Sequence, residues 1–243
     1  DIQREAFKRL GVRADWNNPY VTLTPDFEAK QIEVFGEMCK KGYIYKGLRP
    51  VYWCPDCETA LAEAEIEYTE DTTLSIYVKF PVKDDKGLFK DFAEDLEKVK
   101  FVIWTTTTWT LPGNMAVCLN ADFEYAVVKV QDEYLVIAAE LVENVMKVAS
   151  IQEYEIIKKI KGSELEGIIC RHPFIDRDSL VITGDHVTLD AGTGCVHTAP
   201  GHGAEDFQVC RKYNIETIVP VDDKGYLTKE AGKFAGLFYE KSN

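Results

Sequence analysis

Four consecutive threonines, Thr105–Thr108, stand between two tryptophans in the stretch WTTTTWTLPGN, Trp104 to Asn114. Threonine suits a strand, because its branched Cβ is stiff and packs on a pleated surface. A half-buried strand would alternate apolar with polar, however, and here hydroxyls fall on both faces. Such a row has no obvious apolar partner. A second group occupies residues 192–207, GTGCVHTAPGHGAEDF. Its glycines let the backbone turn sharply and approach a ligand closely. His197 falls in a strand-like run, His202 in a Pro-Gly-His-Gly turn and Asp206 in the first turn of a predicted helix, where a carboxylate also complements the helix dipole. His197, His202 and Asp206 are metal-ligand types, but a Pro-Gly break separates the histidines and their spacing matches no metal pattern. Covalent chemistry is poorly served. There is no GxSxG elbow, and Cys195 has no evident orienting acid.

The third group is WCPDC. Cys54 and Cys57 on a tight turn offer two thiolates at zinc-ligand spacing, whereas a structural zinc site takes four ligands. The pair reads as half of a zinc ribbon or as a plain turn, since no second CxxC exists in this sequence. No helix opens at the first cysteine, which argues against a redox pair.

Several elements must position these residues. Residues 26–41 carry apolar side chains near helical spacing, with Gly42 as a stop. Strands are predicted near 75–80, 101–106, 114–119, 124–130 and 133–137, the last two forming a hairpin about Gln131-Asp132. A helix is predicted over 138–149, further strands near 152–160, 179–183, 194–198 and 215–220, and a short helix from about Gly203 to Tyr213. The pattern is mixed α/β and β-rich, not a doubly wound parallel sheet.

Bulk properties narrow the function classes. The 243 residues are 46% hydrophobic and 28% charged, an ordinary globular composition. No apolar run reaches the length of a transmembrane helix, so no membrane partner is expected. The charged N-terminal stretch DIQREAFKRL is no signal peptide, and a start on Asp suggests a piece of a longer chain. Seven cysteines, scattered apart from the one pair, fit a reducing, cytoplasmic setting. The net charge of −13 argues against a broad footprint on duplex nucleic acid. Residues 1–50 hold 9 Lys+Arg against 7 Asp+Glu, a net of +2, which leaves −15 for residues 51–243. The first fifth is therefore expected to belong to a different structural unit.

Three stretches together, KGYIYKGLRPVYWCPDCETALAEAEIEY, WTTTTWTLPGN and GTGCVHTAPGHGAEDF, resemble the editing insertion of bacterial isoleucyl-tRNA synthetases over essentially the whole chain. The resemblance implies a helical segment at 1–50 leading from a catalytic core, partial zinc-ribbon or hinge strands at 51–73, and a β-barrel-like editing domain at 74–243 flanked by helices. It implies hydrolysis of valine wrongly esterified to the isoleucine tRNA, with no cofactor for that reaction and zinc only at the Cys54/Cys57 half-site, the second pair lying beyond residue 243. By the same resemblance Trp104, Thr105, Thr106, Thr107 and Thr110 line the pocket for the terminal adenosine and its amino acid. Asp206 holds the α-ammonium group, His197 limits side-chain size, and Asp206, Thr106 and Thr107 stand nearest the chemistry. The implied partners are the 3′ acceptor end of mischarged tRNA and the remainder of the synthetase. Thr108 stands where many relatives have Pro. The adenylate-forming signatures His-Ile-Gly-His and Lys-Met-Ser-Lys-Ser are absent, so this stretch does not charge tRNA. The alternative is a catalytically silent module that binds an RNA acceptor end or serves a structural role.

Overall fold

Pro25 lacks an N–H and holds φ near helical values, so it suits the first position of a helix. In the computed structural model, which describes residues 2–242, it opens α2 (Pro25–Lys40), and the chain turns at Gly42 in the left-handed region. A shorter α1 (Ile2–Arg9) precedes it. These helices fall in a unit that ends at Leu48, and a second unit begins at Arg49. Neither helix of the first unit has a buried residue among those described, and Tyr20 meets Phe27 edge-on at 5.3 Å.

The second unit opens with a small hairpin, β1 (Trp53–Cys54) against β2 (Thr59–Ala60), with Glu58 in the left-handed region at its turn. The other strands are β3 (Ile76–Asp84), β4 (Val99–Thr105), β5 (Ala116–Leu119), β6 (Glu124–Val130), β7 (Glu133–Ala138), β8 (Glu155–Lys161), β9 (Ile169–Arg171), β10 (Asp178–Thr183) and β11 (Val196–Thr198). They form one nine-stranded mixed sheet in the order β11-β5-β10-β9-β3-β4-β7-β6-β8. The unit also carries the α-helices α3 (Val142–Val148), α4 (Gly162–Leu165) and α5 (Ala204–Lys212), with short 3-10 turns between elements.

β3 joins the two halves of the sheet. Ile76 to Pro81 pair with β4, whereas Val82 and Asp84 pair with β9 across a register shift. Pro81 lies where the strand changes partner, a position suited to a residue with no N–H to donate. Phe80, Phe101, Ile103, Val127, Val136, Ile137, Ile168 and Cys170 belong to one buried core cluster, and Val209 and Cys210 of α5 cover a smaller cluster with Ala116, Cys118 and Ile182.

The mixed, β-rich class holds. The barrel-like expectation is corrected to an open sheet, because β8 pairs only with β6 and β11 only with β5 among the described residues. The two halves are instead stitched face to face. Ala138 N–H donates to Thr193 O at 2.9 Å, and the Tyr125 hydroxyl donates to Gly194 O at 2.7 Å while accepting from Asn120 N–H at 2.9 Å. Gly194 has φ 72°, and a Cβ there would fall 2.4 Å from that of Ala138. The strand expected at 215–220 does not form. Pro220 has no N–H for a ladder, and the isolated bridges Val221–Leu227 and Tyr226–Phe238 follow it in place of a strand. β9 is too short and too weakly alternating to stand out in the sequence.

Tyr125 is fully buried, so Tyr125→Phe leaves Gly194 O and Asn120 N–H without that partner. The expected cost is about 1–3 kcal/mol. It is read as a lower urea midpoint at unchanged slope; an unchanged midpoint would show that the stitch contributes nothing.

Candidate functional site

The row of threonines does not run on as a strand. β4 ends at Thr105, Thr106 and Thr107 turn outward, and Thr108–Gly113 wind into a 3-10 turn. The two hydroxyls at its start meet each other, Thr105 Oγ1 to Thr107 Oγ1 at 3.3 Å, and Thr107 N–H donates to Thr105 Oγ1 at 3.1 Å. Thr110 is buried one turn later and donates its hydroxyl to Thr107 O at 2.7 Å. Trp104 stays half-buried opposite Tyr77, close against Gly192, where an added Cβ would come within 3.3 Å of the indole.

His197 reaches this turn from β11, which lies antiparallel to β5 with His197 opposite Val117. Its Nε2 lies 3.0 Å from Thr110 Oγ1 and its Nδ1 lies 2.8 Å from Asn114 Nδ2. The Thr110 hydroxyl has already given its proton to Thr107 O, so it accepts from His197 Nε2–H. The amide of Asn114 donates to Ala116 O at 2.9 Å and to His197 Nδ1, and its own oxygen accepts from Ser179 Oγ at 2.7 Å. Every donor in this relay finds an acceptor, and the network assigns the neutral Nε2–H tautomer. Burial in this dry strand pair, reinforced by His172 and His202, lowers the pKa of His197 to about 3. With both ring nitrogens engaged and the charged form disfavoured, His197 is poorly placed to act as a base.

The turn is braced from outside by the loop joining β9 to β10. His172 Nε2 donates to Leu111 O at 2.8 Å, while its Nδ1 accepts from Ile175 N–H at 3.1 Å. Arg177 Nη1 donates to Pro112 O at 2.7 Å and to Asn114 O at 3.3 Å. Sequence reasoning misses Asn114, His172, Arg177 and Ser179 as site residues. The one signal available is the placement of Asn114 at the end of the threonine stretch.

Asp206 lies in the first turn of α5, and its Oδ2 accepts from Ala199 N–H at 2.8 Å, two residues beyond His197. Gly203 makes this possible, because a Cβ there would fall 2.9 Å from Asp206 Cγ. Burial raises the Asp206 pKa, and the Ala199 N–H partly offsets it. Among the described residues no hydrogen bond runs from Asp206 to the threonines. The fold thus brings Thr105, Thr107, Thr110 and His197 into one hydrogen-bonded group and sets Asp206 at the adjoining strand end, with Thr106 half-buried between its neighbours. His202 packs edge-on against Trp109 at 5.2 Å and shares no hydrogen bond with the His197 relay among the described residues.

Cys54 and Cys57 sit on the β1–β2 turn, where Cys57 N–H donates to Cys54 Sγ at 3.4 Å. That amide, and then the Cys57 thiol, lower the Cys54 pKa, while Cys54 raises that of Cys57. Of the two thiols, Cys54 is therefore the easier to ionise. No group of three His, Cys, Asp or Glu side chains suited to a metal exists among the described residues, so the pair supplies half of a tetrahedral set and does not by itself fit a structural zinc. Cys195 is buried with its pKa pushed far up by desolvation, which removes it as a nucleophile.

A family model for tRNA synthetases class I (I, L, M and V) matches residues 1–167. The isoleucine–tRNA ligase of Caldicellulosiruptor bescii is 70% identical over 243 residues, which is 100% of this chain and 26% of that protein. That of Bacillus cereus is 60% identical over 241 residues, 99% of this chain and 26% of that protein. The chain thus spans about a quarter of the length of the curated relatives it matches. Among solved structures, GlLeuRS-CP1 is similar in fold at TM-score 0.50 and 18% identity, covering 61% of this chain and 70% of that one.

The buried histidines set an acid limit on stability. An unfolded imidazole takes a proton near pH ~6.5, whereas folded His197 resists to about 3 and His172 and His202 to about 4. Between those values the unfolded state binds more protons, so stability is full above about pH 6.5 and falls as the pH drops towards 4. Ring resonances of His197 followed by NMR should show no titration from about pH 8 to about pH 5. An inflection near neutrality would overturn the assigned relay.

Proposed function

This chain belongs to the class I tRNA synthetases (I, L, M and V), and from that premise we propose that its second unit is an editing hydrolase acting on valine wrongly esterified to the isoleucine tRNA. The observation that carries this reading is the meeting of His197 with the threonine turn: a polar-walled site whose histidine is locked neutral and which, among the described residues, contains no activated nucleophile. An aminoacyl ester needs none. Its carbonyl is already electrophilic, so holding a water and stabilising the developing oxyanion suffices.

In this mechanism the α-ammonium of the misattached valine docks on Asp206 through a charge-assisted hydrogen bond. The approaching cation favours the ionised carboxylate and thereby opposes the upward shift that burial imposes. Trp104 and Thr105 border the terminal adenosine, and the Thr106 and Thr107 hydroxyls position the attacking water and the carbonyl oxygen. Water oxygen bonds to the carbonyl carbon, the tetrahedral intermediate collapses, and the ribose oxygen leaves with a proton. A neighbouring ribose hydroxyl assists that transfer; no protein base is assigned. His197 and Thr110 form the wall that valine clears and isoleucine does not. Isoleucine-specific synthetases are the standard example of weak methylene discrimination remedied by a second, hydrolytic sieve, and that general logic is taken as given for this family.

Residues 74–243 would form the editing domain proper and 51–73 its hinge strands, in a cytoplasmic enzyme whose other regions hold the tRNA body. The acidic balance suits contact confined to the single-stranded acceptor end. Zinc at Cys54 and Cys57 would need ligands outside the described residues.

Two substitutions test the reading in the complete synthetase. Asp206→Asn retains an acceptor for Ala199 N–H but loses the charge, and valyl-tRNA deacylation should fall roughly 10- to 100-fold with the fold intact, the loss expected for a hydrogen bond to a charged group. Undiminished deacylation would remove Asp206 from the site. His197→Ala should keep valyl-ester hydrolysis and acquire hydrolysis of correctly charged isoleucine tRNA, because a steric wall costs about 1–3 kcal/mol to overpack. Equal loss of both activities would make His197 structural or catalytic instead.

A further inference from the structure

We infer that Ser179 is a positioning residue for the size wall: its hydroxyl anchors Asn114 so that His197 stands fixed as the Nε2–H tautomer against Thr110. The inference rests on the editing reading for its link to specificity, but the relay itself stands on geometry. Ser179 lies on β10, opposite Cys170 of β9, and is fully buried. β10 runs parallel to β5, with Leu180 level with Ala116, so Ser179 is carried to the level of the residues just before β5. From there its hydroxyl donates to Asn114 Oδ1 at 2.7 Å.

The direction of the relay follows from what each group can give. Asn114 has two amide protons and one amide oxygen. Ala116 O and His197 Nδ1 take the protons, and Ser179 supplies the one side-chain donor on the oxygen. Turning the amide over would set Asn114 Oδ1 against Ala116 O, oxygen against oxygen, and would take from the Ser179 hydroxyl proton its acceptor on Asn114. His197 Nδ1 must therefore accept, its proton must sit on Nε2, and Thr110 Oγ1 must receive it. Ser179 holds the far end of this series of bonds. Arg177, two residues earlier, ties the backbone of the same turn through Pro112 O and Asn114 O, so β10 and its leading loop grip Asn114 by both main chain and side chain.

Removing the Ser179 hydroxyl leaves Asn114 Oδ1 buried without its side-chain donor, while Ala116 O still holds the amide nitrogen. Asn114 is then held only through its amide nitrogen, on Ala116 O and His197 Nδ1, and the imidazole edge it steadies becomes compliant. A compliant wall admits the larger side chain without losing the smaller one, so the loss appears in discrimination before it appears in rate.

Two measurements decide this. In the unaltered chain, long-range ¹H–¹⁵N spectra should show the proton of His197 on Nε2 and none on Nδ1; the opposite tautomer would overturn the relay irrespective of any mutant. In Ser179→Ala the His197 Nε2–H should exchange with solvent roughly tenfold faster, in keeping with one lost buried hydrogen bond. In the complete synthetase carrying Ser179→Ala, the ratio of isoleucyl- to valyl-tRNA deacylation should rise by about the same factor, with valyl turnover within about twofold of the parent. Ser179→Cys, which keeps a weak donor, should restore part of the ratio and also serves if the alanine variant does not fold. Unchanged exchange and an unchanged ratio would remove Ser179 from the wall. If the parent hydrolyses neither ester, the editing reading fails, and the tautomer and exchange results still decide the relay.

Discussion

A neutral imidazole sealed between two strands has one donor and one acceptor, and both must be satisfied inside the protein. For His197 that requirement fixes much of the surrounding structure. Thr110 has to arrive from one side with its own proton already spent, which needs a 3-10 turn tight enough to aim it back at Thr107 O. Asn114 has to arrive from the other side with an amide proton, which needs β5 to begin just after it and Ala116 O to take the second proton. The open sheet, its register and its braced turn all serve this pair of contacts.

The sheet order explains how segments distant in sequence reach one point. β4 delivers the threonines, β5 follows Asn114, β10 carries Ser179 and β11 carries His197, and three of these strands are adjacent in the order β11-β5-β10. β4 lies in the other half, beyond β9 and β3. The 3-10 turn spans that gap, leaving β4 at Thr105 and returning the chain to β5. A continuous strand through Thr108 would have carried Thr110 away from His197. Leu111 O, Pro112 O and Asn114 O are left without strand partners by the turn, and His172 and Arg177 supply donors for them. The mechanical cost of breaking the strand is thus offset by the loop between β9 and β10.

Local pattern was readable where it depends on neighbours in sequence. The helix over Pro25–Lys40, the hairpin from Glu124 to Ala138 and the helix over Ala204–Lys212 follow from periodicity and turn residues alone. What failed depends on partners far along the chain. The strand expected over 101–106 forms as β4, Val99–Thr105, and stops one residue short where Thr107 and Thr110 turn to residues 105 and 197. The run 215–220 is apolar and β-branched but carries Pro220 and finds no ladder. Curvature misled as well: editing-domain resemblance suggested a barrel, whereas the halves are joined by Tyr125 and Ala138 reaching across to Gly194 and Thr193 rather than by edge pairing. Residues that act as supports, Asn114, Arg177 and Ser179, carry no motif and become visible only through the bonds they make.

The division between wall and anchor has a physical basis in where charge is tolerated. His197 sits where desolvation drives an ionisable group neutral, and a neutral, doubly bonded ring makes a stiff surface that neither attracts nor repels a hydrocarbon side chain by charge. Asp206 sits at a helix N-terminus with a backbone N–H on its carboxylate, which keeps ionisation within reach despite burial. Exchanging the two would fail on both counts. A carboxylate at the strand pair would have to stay protonated there, and its small, ionisable head would form a poor steric boundary. An imidazole at the helix start would be pushed towards its neutral form by the dipole and could not match an ammonium group. The strand interior therefore selects for shape and the helix end for charge. On the proposed editing reading, a β-branched side chain one methylene longer would be judged at the first and the α-ammonium of the ester docked at the second.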